Sequence, residues 1–294
     1  MEQIAQWFPG HMAKTFRNLN SQIKLVDVVL EMVDARLPYS SRNPELRRYT
    51  HNKVHLILMN KADLADAKVN QAWLNYFQAN NLPTFLYNSK QRQQLPKLLQ
   101  FIYTQAGALL ERNEQRGLDQ KDLKVMVVGV PNSGKSTFIN NLVGRKSNDT
   151  GNRPGVTRQS KWIKSEVDNL AFLDTPGLLW PKIERVEAQL YLALVASIPE
   201  TILDKENLTY KGFAHLWQYY PELLAKRYKL DSQSEFSVEL FDEAVRNQGC
   251  IRAKGKLDYE RFAKAFLNDL RDGTLGAISL ERPTDYVNEN EACE

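Results

Sequence analysis

Gly129-Val130-Pro131-Asn132-Ser133-Gly134-Lys135-Ser136 fills the pattern Gly-x-x-x-x-Gly-Lys-Ser/Thr between an apolar run, 123–128, and a helix-forming stretch, 135–143. Strand, glycine turn and helix in that order build a phosphate-binding loop. The glycines let backbone N–H groups turn inward on phosphate oxygens, and the N-terminus of the following helix adds its positive end. Lys135 reaches the β- and γ-phosphates, and the Ser136 hydroxyl is placed to ligate magnesium. Pro131, Asn132, Ser133, Gly134 and Thr137 complete the nucleotide-binding candidates of the loop. A glycine turn that merely joins strand to helix is the competing reading, and the strand–loop–helix context counts against it.

The same alternation continues outward. Strands are expected at 26–33, 54–59, 84–87, 123–128, 162–167 and 170–173, and helices at 68–79, 95–112 and 135–143. Several strands are near-continuous runs of Val, Ile and Leu, as parallel strands buried on both faces require. The expectation is α/β architecture: a doubly wound, mostly parallel sheet over residues 1–180. Beyond about residue 183, Leu190, Leu194, Val195 and Ile198 fall at helical spacing, and amphipathic stretches follow at 213–228, 238–247 and 259–271. An all-α domain is expected over 181–294, with a frayed polar tail after Pro283.

Composition narrows the class. A chain of 294 residues, 43% hydrophobic and 25% charged, is ordinary for a soluble protein with about two domains. No apolar run approaches the ~18 residues of a membrane span, so no membrane partner is expected. Cys250 and Cys293 make no disulfide framework, and the N-terminus lacks an apolar signal region, so a cytoplasmic protein is expected. Basic residues outnumber acidic ones over 1–180, and the balance reverses over 181–294. A basic front half suits a polyanionic partner.

Two further pieces identify the nucleotide. Asp174-Thr175-Pro176-Gly177 ends a strand, so Asp174 can join the magnesium shell and the Gly177 amide can sense a γ-phosphate. Thr157, in the polar stretch 147–160, can complete the magnesium site as part of an ordering switch loop; a mobile surface loop is the alternative. Asn60-Lys61-Ala62-Asp63 ends the strand at 54–59. Guanine needs a carboxylate that accepts from both N1–H and the exocyclic amine, and Asp63 supplies it. Asn60 binds the ring edge and braces the loop, while the Lys61 stem covers the base. Asn88, Ser89 and Lys90 end the next strand, where a backbone N–H can meet the guanine oxygen. The ligand is therefore GTP with Mg2+.

The order of these motifs is unusual, because the base motifs precede the phosphate loop. A sheet still closes on that order if the chain is circularly permuted. The Asp174–Gly177 turn then runs straight into the helical domain, so a switch movement would pass into it.

Trp7-Phe8-Pro9-Gly10-His11-Met12-Ala13-Lys14 and Val33-Asp34-Ala35-Arg36-Leu37-Pro38, together with that order, closely resemble the YlqF/RbgA family of circularly permuted GTPases, the ribosome biogenesis GTPase A family. The resemblance reaches the back domain through Gly273-Thr274-Leu275-Gly276 and Leu280-Glu281. It implies a GTPase that binds a precursor of the large ribosomal subunit, its rRNA and ribosomal proteins, and assists late maturation. Such a protein is expected to be a monomer when free. It also points to His11 as the catalytic group, since Leu178 and Leu179 follow Gly177 where other GTPases carry a water-orienting glutamine. An imidazole can position or deprotonate water, although a lone His is often structural. Asn132 has two readings: a loop brace, or a ligand for a potassium ion beside the β- and γ-phosphates. Phosphate contacts are expected from Arg42, Arg47 and Arg48, from Arg145, Lys146, Arg153, Arg158, Lys161 and Lys164 around the first switch, and from Arg252, Lys254, Lys256, Arg261 and Lys264. Solvated faces are the alternative for each group. A non-hydrolysing, GTP-sensing adaptor for a protein partner is the rival to the GTPase.

Overall fold

Val28–Asp34 (β1) carries Glu31 in the middle of seven wholly buried residues. This strand is the spine of the sheet in the computed structural model, which describes residues 21–117, 122–143, 160–164, 169–180 and 183–289. β1 pairs in parallel with Val54–Asn60 (β2) on one side and Leu123–Val128 (β4) on the other. Thr84–Leu86 (β3) lies outside β2, and Leu170–Asp174 (β6) lies outside β4, again in parallel. Lys161–Lys164 (β5) closes the edge antiparallel to β6, giving the order β3-β2-β1-β4-β6-β5. The sheet is thus mostly parallel, and the turns that follow β1, β2, β3, β4 and β6 all leave from its carboxyl edge.

The period of two along β1 divides the layers. Val28, Leu30 and Met32 face a core built with Leu98, Ile102, Phe138 and Ile139, contributed by Leu95–Gln115 (α3) and Lys135–Leu142 (α4). On the other face, Val29 packs with Leu46 of Leu46–Thr50 (α1), and Val33 packs with Trp73 and Phe77 of Ala67–Ala79 (α2). Helices cover both faces, which satisfies the double burial that the apolar strands demand.

Glu31 survives in this interior because it is fully partnered. Its carboxylate accepts from Arg42 Nε at 3.3 Å and the Asn43 amide at 2.8 Å, and it lies 3.0 Å from His55 Nε2. Burial pushes the carboxyl up, but the Arg42 guanidinium, the His55 ring and the Asn43 amide outweigh it and hold the group at about 2. Arg42 is therefore committed to Glu31, unlike the exposed Arg47 and Arg48 with which the sequence grouped it as a phosphate contact.

The remaining chain is helical: Val186–Leu194 (α5), Lys205–Tyr219 (α6), Pro221–Tyr228 (α7), Val238–Asn247 (α8) and Tyr259–Asp272 (α9). Its core stacks Phe213, Tyr228, Phe241, Phe262 and Phe266, and Leu37, Val130 and Leu179 from the sheet's carboxyl-edge loops enter the same cluster. Three expectations need correction. The amphipathic stretch 213–228 is two helices, because Pro221 cannot donate an N–H and forces Tyr220 off helical geometry (φ −136°). The spacing that runs to Ile198 outlasts its helix: α5 stops at Leu194 and Ala196 turns left-handed (φ 60°), yet Val195 and Ile198 stay in the core. The segment after Pro283 is not frayed as far as Glu289; Pro283–Glu289 is a helical turn whose Tyr286 is buried against Tyr39 and donates to Glu281. Among the described residues, no helix is long and apolar enough to cross a membrane.

Glu31→Gln should lower the unfolding free energy at pH 7 by about 2 kcal/mol, because Arg42 loses its counter-charge inside the fold. Glu31 is held below its ordinary value of 4.5, so its contribution is complete above that pH and fades as the pH falls towards about 2. Urea titrations of parent and variant should converge across that window; a constant difference down to pH 2 would show that Glu31 stabilises by packing alone.

Candidate nucleotide site

β4 delivers the loop 129–134 to the carboxyl edge, and two of its glycines are obligatory. A Cβ on Gly129 would stand 2.2 Å from the Met32 carbonyl oxygen, and one on Gly134 (φ +99°) would stand 2.2 Å from Asn60 Nδ2. The loop therefore passes close to both β1 and the end of β2. Lys135, at the start of α4, is buried and donates from Nζ to the carbonyls of Gly129 and Val130, both at 2.9 Å. Burial pushes its ammonium down to about 8 against the attraction of Asp174. Burial also pushes the Asp174 carboxyl up to about 6, opposed by Lys135 and by the Thr175 amide. The Ser133 hydroxyl is buried inside the loop with no hydrogen-bond partner among the described residues. This set fits a polyphosphate with a hard divalent cation: an ammonium, a buried hydroxyl and a carboxylate that a cation would favour in its charged form.

Asn60 joins the phosphate loop to the base loops. Its Nδ2 donates to the Ser133 carbonyl at 2.7 Å, while Oδ1 accepts from the Ser89 amide at 3.0 Å and from Ser89 Oγ at 2.8 Å. Lys61 is left-handed (φ 59°) and donates from Nζ to Asp34 Oδ2 at 3.0 Å and to the Asn132 carbonyl at 2.6 Å. Burial pushes the Lys61 ammonium down, and Asp34 opposes that shift. Asp63 stands exposed on the short turn that follows. Thus Asn60, Lys61, Asn132, Ser133, Lys135 and Ser89 come together in one network, with Asp63 at its rim. The three amides of the Asn88–Lys90 turn are all engaged, donating to Gln94 Oε1, Asn60 Oδ1 and Asn88 Oδ1. A guanine oxygen would have to displace one of these acceptors.

The Asp174–Gly177 turn runs beside the phosphate loop, where the Leu178 amide donates to the Gly129 carbonyl at 3.1 Å. Leu178 and Leu179 are 3% and 1% exposed, so both side chains belong to the core. Asn132 Nδ2 donates to the Val195 carbonyl at 2.8 Å, and Ser197 Oγ donates to the Pro131 carbonyl at 2.9 Å. Asn132 does brace the loop, and it does so against the helical region. Ser136 and Thr137 open α4. His11 and Thr157 lie outside the described residues, as do Arg145, Lys146, Arg153 and Arg158. Lys161, Lys164, Lys254, Lys256 and Lys264 are exposed, Lys164 lying 3.7 Å from Asp122, and the exposed Arg252 pairs with Asp258 at 2.8 Å.

Sequence reading missed Asp34 and Arg36 as parts of the site, although it singled out the segment that holds them. Asp34 is 1% exposed and takes Arg36 Nε at 2.9 Å, Arg36 Nη2 at 2.8 Å and Lys61. Burial pushes its carboxyl up, but Arg36 and Lys61 outweigh it and hold it well below the carboxylate range. The available signal was an Asp-x-Arg pair at the end of a strand that is apolar but for Glu31.

Phosphate and base loops tied together through Asn60 and Lys61 make this a guanine-nucleotide-binding P-loop protein, a GTPase whose base strands precede the phosphate strand. Residues 124–211 match the family described as "50S ribosome-binding GTPase". Ribosome biogenesis GTPase A of Bacillus licheniformis is 39% identical over 96% of this chain and 99% of its own length, and that of Thermotoga maritima is 30% identical over 96% and 95%. GDP-bound TM YlqF superposes with a TM-score of 0.64 at 27% identity, covering 92% of this chain and all of that one. A GNP-bound YlqF from T. maritima gives 0.63 at 27% identity, with 92% and 98% coverage. The chain belongs to the ribosome biogenesis GTPase A family, as its motif order and N-terminal segment suggested.

Asn60→Ala should lower the unfolding free energy by about 2–3 kcal/mol, since it strands the buried Ser133 carbonyl and both Ser89 donors. Fluorescent GDP titration should show binding weakened at least tenfold. Asn60→Asp keeps the acceptor for Ser89 but sets an oxygen against the Ser133 carbonyl, so it should fare no better; a near-parental Asp variant would show that the bond to Ser133 is dispensable.

Proposed function

We propose that this protein hydrolyses GTP to GDP and phosphate and uses that cycle to govern its binding to a precursor of the large ribosomal subunit, rRNA and ribosomal proteins together. The observation that carries the reading is Asn60, whose amide bonds the phosphate loop and the base loop at once. The names of the full-length relatives support the ribosomal assignment. In this reading residues 1–180 form the permuted GTPase domain and residues 181–294 the helical domain.

Lys135 exchanges its two loop carbonyls for β- and γ-phosphate oxygens, which accept a charge-assisted hydrogen bond more strongly. Ser136, Asp174 and Thr157 hold magnesium, which when bound neutralises charge on the β- and γ-phosphates. Pro131, Ser133, Gly134 and Thr137 frame the phosphates, and the Gly177 amide follows the γ-phosphate. Asp63 takes the guanine N1–H and amine, Lys61 covers the base, and the Asn88–Ser89–Lys90 turn faces the guanine oxygen. His11 orients the attacking water. The Asn132 side-chain oxygen holds a potassium ion beside the phosphates while its Nδ2 stays on the Val195 carbonyl. The burial of Leu178 and Leu179 favours a second reading, a non-hydrolysing, GTP-sensing adaptor for a protein partner.

GTP turnover measured with and without large ribosomal subunits, in potassium and in sodium at equal ionic strength, separates these readings. Turnover should rise with the particle and in potassium. His11→Ala should bind GTP normally yet lose about 10²–10⁴-fold of the stimulated rate. GTP binding without turnover under any of these conditions establishes the adaptor instead.

Base choice has its own test. Asp63→Asn should move preference from GTP towards xanthosine triphosphate, whose C2 oxygen accepts where the guanine amine donates. Unchanged GTP preference in competition binding removes Asp63 from the base site.

A further inference from the structure

The polar contacts behind the site form a closed circuit through the helical region. Lys61 donates to both Asp34 and the Asn132 carbonyl, linking base loop to phosphate loop. From Asp34 the circuit passes to Arg36, whose Nη1 donates to the Leu270 carbonyl at 3.0 Å, in the last turn of α9. From Asn132 it passes to the Val195 carbonyl, just beyond α5. Arg271, next to Leu270, closes the ring: its Nε donates to the Leu194 carbonyl at 2.8 Å and its Nη2 to the Ala193 carbonyl at 3.2 Å.

Physical chemistry explains why arginines occupy these points. The last carbonyls of a helix have no partner inside it and carry the negative end of its dipole. Arg271 bonds the Leu194 carbonyl of α5 and shares the Ala193 carbonyl with the Ala196 amide, and Arg36 bonds the Leu270 carbonyl of α9. The turn Val195–Ser197, whose amides bond back to Tyr191, Ala193 and Leu192, follows the two carbonyls that Arg271 holds and in turn meets Asn132 and the Pro131 carbonyl. The phosphate loop is thus bonded to a segment that Arg271 ties to the end of α9.

We propose that Arg271 and Arg36 are positioning residues of the nucleotide site: the helical region holds the phosphate loop through Arg271 and Asn132, and the base loop through Arg36, Asp34 and Lys61. This rests on the reading of Asn132 and Lys61 as nucleotide-site residues. By reciprocity, any partner that shifts α5 against α9 changes nucleotide affinity, and nucleotide binding changes the docking of those helices.

The test is a double-mutant cycle on the full chain, reading fluorescent GDP affinity and dissociation rate. Arg271→Ala should weaken GDP about tenfold, the scale of lost charge-assisted hydrogen bonds. Arg271→Lys, which keeps one donor, should recover part of the loss and serves if the Ala variant does not fold. In an Asn132→Ala background, removing Arg271 should cost less than twofold more, because its effect passes through Asn132. Losses that multiply in the double variant, or GDP binding by Arg271→Ala within twofold of parent, overturn the proposal. If Asn132→Ala itself leaves nucleotide binding unchanged, the assignment of Asn132 to the site fails first, and the proposal fails with it.

Discussion

A carboxylate buried between two cations anchors the functional half of this molecule. Asp34 ends β1 with almost no exposure, and its two oxygens are shared between the Arg36 guanidinium and the Lys61 ammonium. An isolated charge at such depth is prohibitive, so the three groups exist there only as a set. The set has a structural consequence beyond its own stability. Arg36 is also held by the helical region and Lys61 also holds the phosphate loop, so β1, β2, the loop after β4 and the end of α9 are located relative to one point. Removing Asp34 would leave two buried cations facing each other, so an apolar replacement here should be strongly destabilising.

The permuted chain order follows from the sheet rather than opposing it. In a parallel sheet every strand delivers its following turn to the same edge, so the site depends on which strands are neighbours and not on which comes first. β4 lies between β1 and β6. The phosphate loop therefore lies next to the Asp34 segment on one side and the Asp174 turn on the other. What permutation changes is the exit: the chain leaves the Asp174 turn through Leu178 and Leu179, whose side chains are buried in separate cores. Two apolar residues at the exit couple the turn to the packing beneath it, while giving up any polar group there that could orient water.

Much of this was legible from residue types and spacing. The phosphate loop was readable because its glycines, Lys135 and Ser136 carry chemistry that few other contexts need, and the flanking apolar run and helix supply the context. Asn60 and Lys61 were readable as a base loop, although their bonds to Ser133 and Asn132 were not, because these join segments distant in the chain. Pro221 was a visible break that the amphipathic pattern around it overrode. The order of the tail to Glu289 was hidden: it depends on Tyr286 meeting Tyr39, Ser40 and Glu281, contacts that no local pattern announces. The carbonyl partners of Arg36 and Arg271 were invisible for a related reason, since a backbone oxygen has no sequence signature.

The electrostatics of the site explain how such a burdened interior stays folded while remaining ready for a highly charged ligand. Lys135, its ammonium pushed down to about 8, and Asp174, its carboxyl pushed up to about 6, are both drawn by burial towards their neutral forms, and each restrains the other. The Lys135 ammonium is satisfied by two neutral carbonyls, an arrangement that costs no second buried anion. A phosphate oxygen would outcompete those carbonyls because it adds charge to geometry, and a cation beside Asp174 would favour its ionised form by the same logic. Both groups would thus gain further charge stabilisation when their ligands arrive. The Asp34 set, by contrast, answers its carboxylate with two cations inside the protein. An internally paired charge cluster beside a second pair that a ligand would answer would let one end of the site act as a frame while the other meets the phosphates.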